Sequence, residues 1–147
     1  MSNYMDDPNL LREIIMDHYK YPRNKHLMDM EDDVYCVHMD ADSCIDDIKV
    51  MAKVCNGVIV DVCFDGVACV ISTASTSIMT ELLKNKTVEE AKRIIDTYNK
   101  MINLEPFNQE LLQEAVAFCQ IGKQANRIGC ATIGWKAIAQ IIFESEE

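Results

Sequence analysis

The chain has 147 residues, half of them hydrophobic, with 24 acidic against 14 basic side chains and a net charge of −10; this predicts one domain over residues 1–147 with a real core, and excludes a disordered chain. No basic cluster appears anywhere, which argues against nucleic acid or an anionic membrane surface as partner and fits a basic protein partner steered by charge. Seven cysteines, an odd count, come with no N-terminal signal pattern and no membrane-length apolar run, so a reducing cytoplasm is expected, with thiols free or metal-bound rather than paired.

In chain order, Asp7 and Pro8 form a helix entry, with an acceptor side chain at the cap and proline in the first turn. Leu10, Leu11, Ile14, Ile15 and His18 follow at helical spacing, and the helix should stop before Pro22. His18, His26 and His38 are expected on the surface or as satisfied core histidines, not as ligands. Val34–Met39 reads as a first strand. Asp40–Asp47 is an acidic connection that contains Cys44, Ile45 and Asp46.

Ile48, Val50, Ala52 and Val54 alternate with mostly polar neighbours, and Val58, Val60, Val62 and Phe64 do so again. Asn56-Gly57 between them marks a hairpin. A three-residue loop, Cys55–Gly57 with Gly57 left-handed, would put both apolar sets on one face, pairing Val54 with Val58 and Ile48 with Phe64. Extended outward, that ladder brings Cys44 opposite Ala68 or Cys69, with Asp46 beside them.

The second strand of the hairpin should end at Phe64, and a Ser-, Thr- and Ala-rich helix over Val70–Leu83 should open just after Cys69. Thr87-Val88-Glu89-Glu90 has the form of a capping box, followed by an amphipathic helix through Ile102. Pro106 breaks the chain. Asn108 should cap a short helix carrying Leu111, Leu112, Ala115 and Val116, ended by Gly122. A last helix is expected from about Cys130 to Phe143.

Cys69 and Cys130 thus stand at predicted helix starts, where unpaired N–H groups and the helix dipole favour thiolate. With Cys44 they supply three thiolates, and Asp46 adds a carboxylate. Such a four-coordinate set suits zinc, and an iron–sulfur cluster is the alternative. Cys36, Cys55, Cys63 and Cys119 fall in predicted strands or helices, where a cysteine serves as a small hydrophobe.

These residues resemble the U-type iron–sulfur cluster assembly proteins, the SufU/IscU family related to the N-terminal domain of NifU. The resemblance covers nearly the whole chain. Its pieces are His18-Tyr19-Lys20 with Pro22-Arg23-Asn24, Cys44-Ile45-Asp46, the Phe64–Thr80 segment, and Arg127-Ile128-Gly129-Cys130-Ala131-Thr132. Ile45 and Ala68 stand where the family often has glycine. The long interval between Cys69 and Cys130, with Gly129 rather than histidine before the last cysteine and Arg127 further back, is similar to the SufU branch.

The resemblance implies an α+β fold, a small three-stranded antiparallel sheet with about five helices packed on it. It implies zinc held by Cys44, Asp46, Cys69 and Cys130, and sulfur acceptance from a pyridoxal-phosphate cysteine desulfurase of the SufS/IscS type. Cys44 is then the acceptor, and Arg127 a supporting residue that orients the partner or stabilises thiolate charge. The alternative is a scaffold that builds a [2Fe–2S] cluster on the same four residues, with iron as the metal, and hands it to downstream assembly or acceptor proteins. A non-catalytic zinc module is the third reading.

Overall fold

The computed structural model describes residues 7–40 and 45–146. Helix α1 spans Pro8–Lys20; strands β1, β2 and β3 span Val34–Asp40, Asp47–Cys55 and Val58–Val67. Helices α2 (Val70–Leu83), α3 (Val88–Ile102), α4 (Gln109–Leu112) and α5 (Ala125–Ser145) follow, with 3-10 turns at Gln113–Phe118 and Ile121–Lys123. The strands form one antiparallel sheet in the order β1-β2-β3, so the α+β expectation holds. No helix among the described residues is long and apolar enough to cross a membrane.

Three helix starts sit where local chemistry puts them. Asp7 caps α1 by accepting from the N–H groups of Asn9 and Leu10. Cys69 caps α2 through its own sulfur, which accepts from the Ser72 N–H. Thr87 accepts from the Glu90 N–H while the Glu90 carboxylate accepts from the Thr87 N–H, a complete capping box for α3. Replacing Thr87 with Ala is expected to lower the unfolding free energy by about 1 kcal/mol, read as a lower urea midpoint at unchanged m.

The hairpin differs from expectation in its pairing. Asn56 (φ 53°) and Gly57 (φ 75°) alone form the turn, both left-handed, as a two-residue primed turn requires. Cys55 pairs with Val58 and Val54 with Ile59, but Lys53 pairs with Asp61, leaving Val60 as a bulge. Val50 therefore faces Phe64, and Ile48 faces Gly66, in place of the expected Val54–Val58 and Ile48–Phe64 pairs.

A longer loop and a bulge shift the count by the same parity, which is why Ile48, Val50, Ala52, Val62 and Phe64 still share the core face. Ile59, fully buried, takes the place expected of Val58 and Val60, which are only partly buried. β3 runs to Val67, three residues past the expected end, and the ladder stops at Asp47–Val67.

On the core face the sheet packs against Ile78, Met79 and Leu83 of α2 and Trp135, Ile138 and Ile141 of α5. The opposite face carries a small cluster of Val34, Met51 and Cys63 under Met28. Helix α2 is buried on nearly all sides although it is rich in hydroxyls. His18 is buried against it, with Nδ1 2.8 Å from Ser77 Oγ and Nε2 3.3 Å from Glu114, a satisfied core histidine as expected. His26 and His38 are exposed.

Two later elements correct the sequence reading. The helix expected over Asn108–Gly122 ends at Leu112, where Gln113 turns to φ 46°, and continues as 3-10 turns. Leu112, Ala115 and Val116 are buried, but Leu111 is exposed. Helix α5 begins at Ala125, not at Cys130, so Cys130 lies in its second turn rather than at its N-terminus. Gln124 makes no side-chain cap, so nothing local announces that start.

Candidate metal centre

The open end of the β2–β3 hairpin meets the start of α2 and the second turn of α5. Asp46, one residue before β2, is buried at 1% exposure. Its Oδ1 accepts from the Cys69 N–H at 2.8 Å. Its Oδ2 accepts from the Ser72 hydroxyl and lies 4.0 Å from Cys69 Sγ. A carboxylate so placed sits on the positive end of the α2 dipole. Cys130 approaches from α5. One donor atom from each of Asp46, Cys69 and Cys130 lies within 4.8 Å of the other two.

The donor set fits a tetrahedral thiophilic ion. Zinc–sulfur and zinc–oxygen bonds of about 2.3 and 2.1 Å imply donor separations of roughly 3.5–3.8 Å, so these three donors need to close by no more than about 1 Å to share one ion. The electrostatics point the same way. Burial first, then the hydrogen bond and charge of Cys69, and then Asp46, push the Cys130 thiol up to about 12. Two sulfurs and a carboxylate crowded without a positive charge keep Cys130 protonated, and a cation inverts that balance.

Three of the four expected ligands are thus brought together; the fourth, Cys44, lies outside the described residues. Arg127 is exposed on α5 and makes no ion pair among the described residues. Ile45, in the position where glycine was expected, is 65% exposed beside the site, and Val67 is 66% exposed. Cys63 is buried, and its thiol is raised to about 11, chiefly by desolvation. Cys119 packs against the main core. Cys55 is half-buried, its sulfur 3.5 Å from Asp33. Cys36 departs from the small-hydrophobe reading: it is exposed on β1.

Sequence reasoning missed Ser72, whose hydroxyl holds Asp46 and whose N–H caps onto Cys69. The available signal was its place three residues into a helix whose cap is a cysteine.

Fold and site together define a small α+β protein with a thiol–carboxylate cluster at the rim of its sheet. The chain belongs to the family described as the NifU-like N-terminal domain, whose model matches residues 10–144. It is 34% identical over 138 residues to the zinc-dependent sulfurtransferase SufU of Bacillus subtilis (strain 168), covering 93% of this chain and 92% of that protein. It is 33% identical over 138 residues to the iron–sulfur cluster assembly scaffold protein IscU of Streptococcus pyogenes serotype M1, covering 93% of this chain and 85% of that one.

Among solved structures, a putative iron–sulfur cluster assembly scaffold protein for the SUF system from Fervidobacterium islandicum AW-1 superposes with a TM-score of 0.78 at 28% identity, covering 86% of this chain and 92% of that one. The N-terminal NifU-like protein of Brucella abortus shares the fold, with a TM-score of 0.81 at 21% identity over 97% of each chain.

Proposed function

We propose that this protein serves iron–sulfur cluster assembly as a zinc-dependent sulfur acceptor that takes persulfide sulfur from a pyridoxal-phosphate cysteine desulfurase. The convergence of Asp46, Cys69 and Cys130 on one point carries this reading, because it gathers the donors that such a site needs. Cys44, two residues before Asp46 in the chain, completes the set. Bound zinc supplies positive charge that holds the site's cysteines as thiolates at neutral pH.

Each residue has a distinct task. Asp46, fixed by the Cys69 N–H and the Ser72 hydroxyl, offers an oriented oxygen donor harder and weaker than thiolate. Cys69 and Cys130 anchor the ion from two helices packed on each other. Cys44 is the nucleophile. Its thiolate attacks the outer sulfur of the desulfurase persulfide, forming a new S–S bond as the old one breaks. The desulfurase cysteine leaves as thiolate, so the exchange needs no outside oxidant or reductant. Arg127, exposed three residues before Cys130, is placed to meet a partner's acidic group or to stabilise thiolate charge.

Incubation with a cysteine desulfurase and sulfur-labelled cysteine tests the assignment. Cys44→Ala should lose protein-bound label by about tenfold or more, since in this reading Cys69 and Cys130 stay engaged as anchors of the ion. Its circular dichroism should stay that of the parent. Wild-type labelling of Cys44→Ala overturns the assignment.

The IscU relative favours a second reading, assembly of a [2Fe–2S] cluster on the same residues as cargo for transfer to acceptor proteins. Anaerobic reconstitution with iron and sulfide separates the two. A stable cluster spectrum with zinc displaced supports the scaffold, and retention of zinc without colour supports the sulfur acceptor.

A further inference from the structure

Beneath the candidate centre lies a buried polar cluster that the sulfur chemistry does not use. The Ala131 carbonyl, one residue past Cys130, accepts from Ser75 Oγ at 2.6 Å and from Tyr98 Oη at 2.7 Å. A helical carbonyl ordinarily receives a single bond, from the N–H four residues on, so two added hydroxyl donors are unusual. Ser75 Oγ in turn accepts from Trp135 Nε1 at 3.0 Å. Tyr98 and Trp135 stack with ring centroids 3.9 Å apart and planes 5° from parallel. All four residues are at most 1% exposed.

Except for Tyr98, these groups belong to the helices that carry the cysteine donors. Ser75 stands six residues after Cys69 on α2, Ala131 and Trp135 are on α5 with Cys130, and Tyr98 comes from α3. One turn further along, α2 and α5 are in close contact. A Cβ placed on Gly134 would strike Thr76 Oγ1 and come 2.8 Å from Thr76 Cγ2.

We infer that Tyr98, Ser75 and Trp135 are positioning residues that lock α5 onto α2 at the Ala131 carbonyl and so set the distance from Cys130 Sγ to Cys69 Sγ and Asp46. The inference rests on the metal-centre reading of the site and names what holds its geometry. None of the three is itself a donor at the site. Without the lock, α5 can slide or rotate on α2, and the two sulfurs leave register while the fold persists. Burial keeps the Tyr98 phenol protonated and therefore a donor.

The test measures Zn2+ affinity by competition with a chromophoric chelator, and the thiolate-to-cobalt charge-transfer absorption after Co2+ loading. The proteins compared are the full chain, Tyr98→Phe, Ser75→Ala, and Ile138→Val, a core variant on α5 outside the hydrogen-bonded group that supplies a purely structural loss. Tyr98→Phe and Ser75→Ala should weaken Zn2+ binding by about tenfold and reduce the charge-transfer intensity. Ile138→Val should keep both at the parent value. Parent affinity and spectrum in Ser75→Ala and in every folded Tyr98→Phe preparation overturn the inference. Equal losses in Ile138→Val overturn it too, since stability alone then explains them. A parent chain that gives no thiolate–cobalt band overturns the metal-centre reading itself, a result distinct from the other two.

Discussion

Gly66→Ala is expected to lower the unfolding free energy by about 3 kcal/mol and, with it, the metal affinity of the rim site. Gly66 has φ +136°, a conformation that side-chain-bearing residues rarely adopt. A Cβ there would strike the Asp47 carbonyl and come 2.8 Å from Ile48 Cα. Both atoms are backbone of the paired strand, so no side-chain rotation relieves the clash. The strands must part where β2 begins, and Asp46 is the next residue along.

Gly57→Ala is the informative comparison. Gly57 also has positive φ (75°), but nothing lies within 4 Å of its would-be Cβ. Its cost should be the conformational one alone, about 1 kcal/mol, with zinc affinity unchanged. Urea unfolding and chelator competition on both variants check the pair. Equal effects of the two substitutions on zinc binding would contradict the direct link between Gly66 and Asp46.

Asp46→Ala should cost about 2–3 kcal/mol even in metal-free protein, because it strands the Cys69 N–H and the Ser72 hydroxyl in a buried place. Asp46→Asn should cost less, since its amide oxygen can still accept one of those bonds. Both variants remove a negative charge from beside two sulfurs. On the proposed ligand set Asp46→Ala also removes an oxygen donor, so Zn2+ affinity should fall by about 10–100-fold. Denaturation without metal and titration with metal separate the two contributions. A metal-free midpoint equal to that of the parent would show that the carboxylate does not hold the start of α2.

Proton release accompanies metal uptake. With Cys130 pushed up to about 12, its thiol is protonated through the neutral range. On the proposed ligand set each metal that binds must displace that proton, so binding should strengthen as pH rises.

The sequence legibly determined those elements whose signals are local. The Asp7-Pro8 entry, the Cys69 cap and the Thr87–Glu90 box each satisfy their own N–H groups within three residues, so α1, α2 and α3 lie where the chain alone puts them. The shared core face of the hairpin was equally legible, because the apolar residues of each strand alternate and all must be buried, a demand the bulge meets once the turn is two residues long. The chemistry of the site was readable as well, since thiols and a carboxylate are recognisable wherever they stand.

Tertiary packing decided the remainder. The bulge at Val60 and the pairing of Ile48 with Gly66 come from fitting a tight Asn-Gly turn to a sheet that must bury Ile59, Val62 and Phe64 together. Helix α5 starts five residues before Cys130 without a side-chain cap, held by its packing on α2 and the sheet. That Cys130 comes within 4.8 Å of donors more than 60 positions earlier depends on Gly134 against Thr76 and on the hydroxyls that grip the Ala131 carbonyl. Caps and alternation act over three or four residues and can be read along a line. The separation of two sulfurs on different helices is set by how those helices pack, which exists only once the chain has closed on itself.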